Sequence, residues 1–347
     1  MAQVLLDGRC IQNGKYDGAQ RYAEEVIKKL DELVEPGKYE LLIFEGNENL
    51  IQLENITKII VKPNTFNKKC WATYKYLDHG KKLYVGFANE VVLDRNSIVT
   101  IHDIYAFYGV YNNSFYYYFK KKIKAIVDAL FASKIVTVSQ YSKQTMIEKL
   151  PVKAEKIQVI YNGWQHLIGK SADYDVLKKY DICEKKYYLY LGRLVKNKNI
   201  DWIFRIADKN PGDIFLIAGA LSNEQFEKYY GKAQNIIYTG YVPDEELRSL
   251  YKNCKAFLFP SLMEGFGIPP MEALYHGAPI IISNTSSLPE IYGNSAHYID
   301  PYCYDYNLDE LLNESVENPD KILKKFSWEK SAREWYALIE ECLKNKN

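Results

Sequence analysis

The sequence predicts an α/β protein with two doubly wound parallel sheets, one in each of two domains. Three observations predict it. The 347 residues are too many for one typical domain and suit two of roughly 150 each. Short apolar runs of strand length alternate with segments of helical apolar spacing along most of the chain. The residues with chemical potential stand just after the strands, where open parallel sheets bind ligands.

In the first domain, Val4 to Leu6 reads as a strand ended by Asp7-Gly8-Arg9. A loop with Gly14 and Gly18 leads into a helix from Ala19 to Leu33, where Tyr22, Val26, Ile27, Leu30 and Leu33 fall at helical spacing. Tyr39 to Phe44 and Ile56 to Val61 are strands, the latter stopped by Pro63. Trp71 to Leu77 reads as a helix and Tyr84 to Phe87 as a short strand. Ser97 to Ile101 is a strand ending in His102-Asp103, and Ser114 to Leu130 reads as one helix. Lys134 to Val138 is a strand; Ser139 then caps a helix over Lys143 to Leu150. Ile157 to Ile160 is a strand stopped by Asn162-Gly163.

The pattern weakens after Trp164, and His166 to Asp173 reads as a linker, giving domains at 1–165 and 174–327. In the second set, the strand Tyr187 to Leu191 runs into Gly192-Arg193 and Lys196-Asn197-Lys198-Asn199. A helix over Ile200 to Ala207 and strands over Ile214 to Ile217 and Ile236 to Thr239 follow; the second strand ends at Gly240-Tyr241-Val242-Pro243. Asp244 caps a helix to Asn253. Pro279 to Ile282 is a further strand and Leu288 to Tyr292 a short helix. A last helix, Trp328 to Leu343, within 328–347, carries Trp335, Leu338, Ile339 and Cys342 on one face and is expected to pack back on the first domain.

The most informative corner lies between Ala256 and Leu274. The strand Ala256 to Phe259 ends at Pro260-Ser261, and Glu264 stands on a loop with Gly265, Phe266 and Gly267. Pro269 and Pro270 suit the first turn of a helix, where a missing N–H is harmless, and Glu272 is expected in that turn. A helix start offers free N–H groups and partial positive charge, so this reads as an anion site flanked by two carboxylates.

Composition excludes several classes. Lys plus Arg number 45 against 44 Asp plus Glu, which argues against bulk nucleic-acid binding. Six cysteines show no C-x-x-C pair, so no zinc or disulfide framework is legible. The start, Met-Ala-Gln-Val-Leu-Leu-Asp, lacks a signal peptide's charge and long apolar core, and no run reaches the roughly 18 residues of a membrane span. A cytoplasmic protein is expected, peripheral on the inner face of the plasma membrane if it contacts lipid.

The stretch Glu264-Gly265-Phe266-Gly267-Ile268-Pro269-Pro270-Met271-Glu272, followed by His276-Gly277-Ala278-Pro279, resembles the E-x7-E motif of the large family 4 of retaining glycosyltransferases. The likeness extends over most of the chain. Asp7-Gly8-Arg9 with Gly18-Ala19-Gln20-Arg21-Tyr22 resembles the family's N-terminal strand and glycine loop, with Ala19 where a second glycine is commoner. Ile101-His102-Asp103 resembles its histidine loop, Leu191-Gly192-Arg193 with Lys196 to Asn199 its basic phosphate loop, and Gly240-Tyr241-Val242 its base-recognition loop. The resemblance implies the GT-B fold, two Rossmann-like domains facing across a cleft. It implies a hexosyl or deoxyhexosyl transfer from a GDP-, UDP- or dTDP-linked sugar to a saccharide or lipid-linked saccharide acceptor, in surface polysaccharide synthesis.

It also implies roles. His102 contacts the sugar or reacting region, Arg193 and Lys198 stabilise the leaving diphosphate, and Glu264 contacts the donor sugar. Glu272 takes the ribose, since a carboxylate accepts two hydroxyl hydrogen bonds. Gly18, Gly240, Tyr241, Val242, Phe266, Gly267 and Ile268 complete the donor site. Ser139 and Asn162 serve either in the cleft or as a cap and a turn residue. No metal and no cofactor are expected beyond the nucleotide sugar itself. His79, His166, His276 and His297 read as structural. Two rivals stand beside the transferase: a non-catalytic GT-B subunit that binds nucleotide sugar or a partner, and a nucleotide-sugar epimerase. Finally, Tyr116 to Lys124 places aromatics beside Lys120, Lys121, Lys122 and Lys124, with Lys134 beyond, a pattern suited to an anionic membrane surface as well as to an ordinary basic helix face.

Overall fold

The computed structural model describes residues 2–13, 18–62, 82–88, 93–109, 115–169, 175–219, 221–231 and 233–345, with main chain alone at 115–117. The expected helix at Trp71 to Leu77 and the loop residue Gly14 lie outside them, as do the side chains of Tyr116 and Tyr117. The chain forms two compact units. One comprises Met1–Tyr108, Asn113–Gly163 and Phe326–Asn347; Trp164–Lys325 carry the other.

The first unit runs β1 (Val4–Asp7), α1 (Gly18–Asp31), β2 (Tyr39–Phe44), β3 (Thr57–Val61), β4 (Leu83–Gly86), β5 (Ser97–Thr100), α2 (Phe115–Phe131), β6 (Lys134–Thr137), α3 (Gln140–Lys149) and β7 (Ile157–Val159). Among the described residues the strands form one parallel sheet of order β3-β2-β1-β4-β5-β6-β7. Strands β1, β4 and β5 are buried along their whole length, the continuous burial that helices on both sheet faces impose. Ser139 is the N-cap of α3, its Oγ accepting from Ser142 N at 3.1 Å. The helix therefore starts at Gln140, one residue after its cap, and not at Lys143.

The second unit runs α4 (Val176–Lys179), β8 (Tyr187–Leu191), α5 (Ile200–Lys209), β9 (Ile214–Ala218), α6 (Asn223–Tyr230), β10 (Ile236–Gly240), α7 (Asp244–Asn253), β11 (Ala256–Phe259), α8 (Ile268–Tyr275), β12 (Ile280–Ser283), α9 (Leu288–Tyr292), β13 (His297–Ile299), α10 (Leu308–Leu312) and α11 (Asp320–Lys325). Its sheet is parallel with order β10-β9-β8-β11-β12-β13. This is the Rossmann order, with the strand sequence reversing direction between β8 and β11, and ligands bind at such a switch point. Pro243 takes the N-cap position of α7 and Asp244 is its first helical residue, with no side-chain cap; Asp244, Glu245 and Glu246 instead place negative charge in the first turn.

The last helix, α12 (Trp328–Lys344), belongs to the first unit and lies against α1. Its amphipathic face buries Trp328, Trp335, Leu338 and Ile339. Trp335 Nε1 donates to Tyr22 Oη at 2.7 Å, and Lys38 pairs with Glu340 at 2.8 Å.

Candidate functional site

The carboxyl edge of the second sheet is drawn tightly together by backbone. Gly192 N donates to Ala218 O at 3.1 Å and Gly219 N to Gly240 O at 3.0 Å, stitching the ends of β8, β9 and β10. A Cβ on Gly219 would meet Gly192 O at 3.0 Å, so this approach favours glycine. Gly240 has φ +69°; Tyr241 beyond it is 63 % exposed, whereas the Val242 side chain is buried.

The loops after β8 and β11 meet at the switch point. Lys198 Nζ lies 2.5 Å from Glu264 Oε1 and 5.1 Å from the centre of the Phe259 ring. The loops are pinned on both sides of that pair. Leu262 N donates to Asn197 O at 2.8 Å, and Asn199 Nδ2 donates to Pro260 O at 3.1 Å and Pro301 O at 2.9 Å. Asn199 achieves this in a left-handed conformation, φ 55°. Glu264 N donates to Ser286 Oγ at 3.0 Å, and Ser287 Oγ donates to Glu264 O at 3.1 Å. Arg193, five residues before Lys198, is exposed at the mouth of the same loop. Among the described residues its guanidinium makes no hydrogen bond or ion pair.

Gly267 caps α8 with φ 83°, and a Cβ there would meet Leu288 Cδ2 at 2.9 Å. Its carbonyl accepts from the Tyr292 hydroxyl. Phe266 is buried, so its ring packs inward. The helix begins at Ile268, one residue earlier than its prolines imply, because the glycine cap turns the chain there. Glu272 is therefore the fifth helical residue, in the second turn and not the first. With prolines at the next two positions, the free N–H groups at this helix start are those of Gly267 and Ile268.

Glu272 is buried, and each carboxylate oxygen has a partner. The Tyr251 hydroxyl donates to Oε2 at 2.8 Å, and His166 Nε2 stands 2.8 Å from Oε1. Burial, with the Glu272 charge second, pushes the Tyr251 phenol well above its ordinary pKa, so it stays a proton donor. Tyr292 nearby is raised in the same way. The sequence alone reads His166 as structural. It lies in the stretch expected to be a linker, on a short turn, Gln165–Leu167, whose neighbours Trp164 and Leu167 are buried.

In the first unit, His102 follows β5. Its Nε2 lies 2.9 Å from Phe87 O, and its ring meets Tyr22 edge-on at 4.8 Å. Ser142 Oγ donates to His102 O at 3.2 Å, and Ser139 Oγ is 3.0 Å from Ser142 Oγ, so the α3 cap also anchors the histidine loop. Asn162 is buried, and its Oδ1 has no hydrogen-bond partner among the described residues. Gly18 opens α1, and a Cβ there would meet nothing within 4 Å. The second unit thus gathers Arg193, Lys198, Glu264, Gly267, Ile268 and Glu272 on two adjoining loops and one helix start. Gly240 to Val242 sit two strands from β8, while His102, Ser139, Asn162 and Gly18 belong to the first unit. Among the described residues no group of three His, Cys, Asp or Glu side chains converges as metal ligands do.

Comparison with known proteins agrees with this layout. A family model described as glycosyl transferases group 1 matches residues 177–335, and one described as glycosyltransferase family 4 matches residues 16–165. O-antigen chain mannosyltransferase B of Escherichia coli is 28 % identical over 299 residues, covering 76 % of this chain and 74 % of that protein. O-antigen chain mannosyltransferase RfbU of Salmonella typhimurium is 29 % identical over 268 residues, covering 73 % and 72 %. Sucrose-phosphate synthase of Thermosynechococcus elongatus superposes with a TM-score of 0.76 at 14 % identity, over 99 % of this chain and 100 % of that one.

Proposed function

The chain belongs to the group 1 glycosyl transferases, and from that premise we propose that it transfers a mannosyl group from a nucleoside-diphosphate sugar to a growing surface saccharide. The observation that carries the reading is the Lys198–Glu264 pair at the Rossmann switch point. The mannosyl donor is supported by the relatives, which are O-antigen mannosyltransferases.

Each group has a task the reaction needs. Breaking the bond from the anomeric carbon to phosphate oxygen puts negative charge on the leaving nucleoside diphosphate. Lys198 and the open Arg193 guanidinium stabilise that charge, with the Gly267 and Ile268 N–H groups at the α8 start. Glu264, steered by Lys198, accepts hydrogen bonds from sugar hydroxyls. The acceptor oxygen bonds to the anomeric carbon on the face the phosphate leaves, and its proton passes to a phosphate oxygen. The anomeric configuration is thereby retained; His102 keeps the sugar-contact role that the family resemblance implies.

Because protein cations neutralise the leaving group, transfer proceeds without a divalent metal. The test is incorporation of labelled mannose from GDP-mannose into an O-antigen-type lipid-linked acceptor, with UDP- and dTDP-sugars in parallel and anomeric configuration read by NMR. The expected result is an α-linked product from the α-linked donor, formed at an unchanged rate in excess EDTA. Mannose released without an acceptor product, or transfer that stops in EDTA and returns with magnesium, contradicts the proposal.

Helix α2 supports contact with an anionic membrane, where lipid-linked acceptors lie. Phe119, Ile123 and Leu130 lie along one stripe of the helix and are exposed, Phe119 at 52 % and Leu130 at 57 %. On the same helix Lys120 is exposed and Lys124 half-buried, whereas Lys121 and Lys122 lie over the rings of Tyr105 and Phe107. Lys134 reaches Glu341 at 3.7 Å and contributes less. Sedimentation with phosphatidylglycerol vesicles is expected to pellet the protein. At about 1 kcal/mol per basic residue near the surface, Lys120→Glu with Lys124→Glu weakens partitioning by roughly tenfold or more. Equal binding to neutral and anionic vesicles contradicts this contact.

A further inference from the structure

Glu272 presents a problem that the ribose role alone does not answer. Its side chain is 7 % exposed, and a carboxylate so deeply placed needs partners that also fix its orientation. Tyr251 supplies one from α7. The other, His166, comes from just beyond the boundary of the first unit and is itself 5 % exposed. The segment bearing it is clamped. Trp164 Nε1 donates to Leu323 O at 3.0 Å, the Trp164 ring lies 4.5 Å from that of Tyr275 at the end of α8, and Leu167 is buried. His166 is thus held against Glu272 by anchors on either side.

We infer that His166 is a positioning residue for nucleotide recognition: with Tyr251 it locks the Glu272 carboxylate in the orientation that receives the ribose diol of the donor. The inference rests on the reading of Glu272 as the ribose contact. A carboxylate has about four lone-pair sites. Tyr251 and His166 occupy one on each oxygen, which leaves one on each for two vicinal hydroxyls. Locking the side chain removes the rotamer entropy that a free glutamate loses on binding. His166 itself touches no substrate in this scheme.

The test measures binding of GDP and UDP, each beside its 2′-deoxy counterpart, by calorimetry to the intact protein. Five forms are compared: unaltered, Glu272→Ala, His166→Ala, His166→Gln and the Glu272→Ala/His166→Ala double variant. The ribonucleotide that binds is expected to lose roughly tenfold in affinity in His166→Ala, the scale of one charge-assisted hydrogen bond. Its preference over the deoxynucleotide should fall in parallel. His166→Gln retains a donor N–H and is expected to restore most of both. Adding His166→Ala to Glu272→Ala should change affinity little, since both act through one carboxylate. In transfer assays the loss should fall on donor KM and not on kcat. Full ribose preference in His166→Ala, or additive losses in the double variant, overturns the positioning role while leaving the Glu272 reading intact. If Glu272→Ala itself keeps the ribose preference, or neither ribonucleotide binds, the underlying reading fails and this inference with it. If His166→Ala does not fold, His166→Gln decides: affinity and ribose preference near those of the unaltered protein support the role, and loss of both as in Glu272→Ala overturns it.

Discussion

Lys198→Ala is expected to lower kcat for sugar transfer by about 10²- to 10³-fold, the scale seen when one preorganised donor is removed from a site of developing charge. The position justifies a large figure. Lys198 follows a strand end at the switch point, and its loop is fixed by Asn197, Asn199 and the Leu262 N–H. Its ammonium is partly shielded and held by Glu264, so in the proposed reaction it would meet the leaving phosphate with little reorganisation. The charge it answers grows as the anomeric bond breaks, so the loss falls on kcat more than on donor KM. Lys198→Arg should recover only part of the rate, since a planar fork does not replace a compact ammonium in a space shaped around it. Initial rates at saturating donor, with a melting curve as the folding control, decide the matter. A folded Lys198→Ala enzyme with near-normal kcat removes Lys198 from the chemistry.

Much of this site is legible in the sequence, because strand, loop and helix start are each encoded by local signals. The apolar run Ala256 to Phe259, the glycine at 267 and the proline pair place the corner to within a residue. The residue by which it misses has a cause: Gly267 adopts the left-handed cap and lets the helix begin before the prolines, which moves Glu272 into the second turn. Strand β13 escapes because three residues including a histidine carry no apolar alternation; it is defined by pairing with β12. Helices α4, α10 and α11 are four to six residues long and escape for the same reason. His166 escapes because a lone histidine in a weakly patterned stretch has no spacing signal. Trp164 and Leu167 beside it are the available clue: a large apolar residue just before the expected linker and another inside it call for a surface to bury them. The partner of His166 lies more than a hundred residues along the chain, and such a pairing follows from tertiary packing that no local pattern encodes.

The largest stability effect is expected from a residue outside any catalytic role. A Cβ on Gly163 would fall 2.2 Å from Trp328 N, 2.6 Å from the Trp328 ring and 2.7 Å from the carbonyl carbon of Ser327. Two of these three neighbours are main-chain atoms, so no rotamer change relieves the overlap, and the N-terminus of α12 must move. Ser327 caps that helix by accepting from Lys330 N, and Ser331 Oγ ties it to Tyr161 O. Gly163→Ala is therefore expected to reach the upper end of overpacking costs, about 3 kcal/mol. For a unit of this size that lowers the melting temperature by roughly 6 to 12 °C. Gly212→Ala is the control, since its Cβ would meet nothing within 4 Å; its effect should stay within about 0.5 kcal/mol. The damage should also reach His102. α12 carries Trp335, which donates to the Tyr22 hydroxyl, and the Tyr22 ring braces the imidazole. Loosening α12 at its start frees that brace, so transfer should fall at temperatures well below the new melting point. Calorimetric melting of both variants, with activity followed against temperature, tests the chain of contacts. A Gly163→Ala protein that melts with the unaltered one shows that the start of α12 yields at no cost. One that melts early but keeps full activity below its transition separates the helix from the histidine loop.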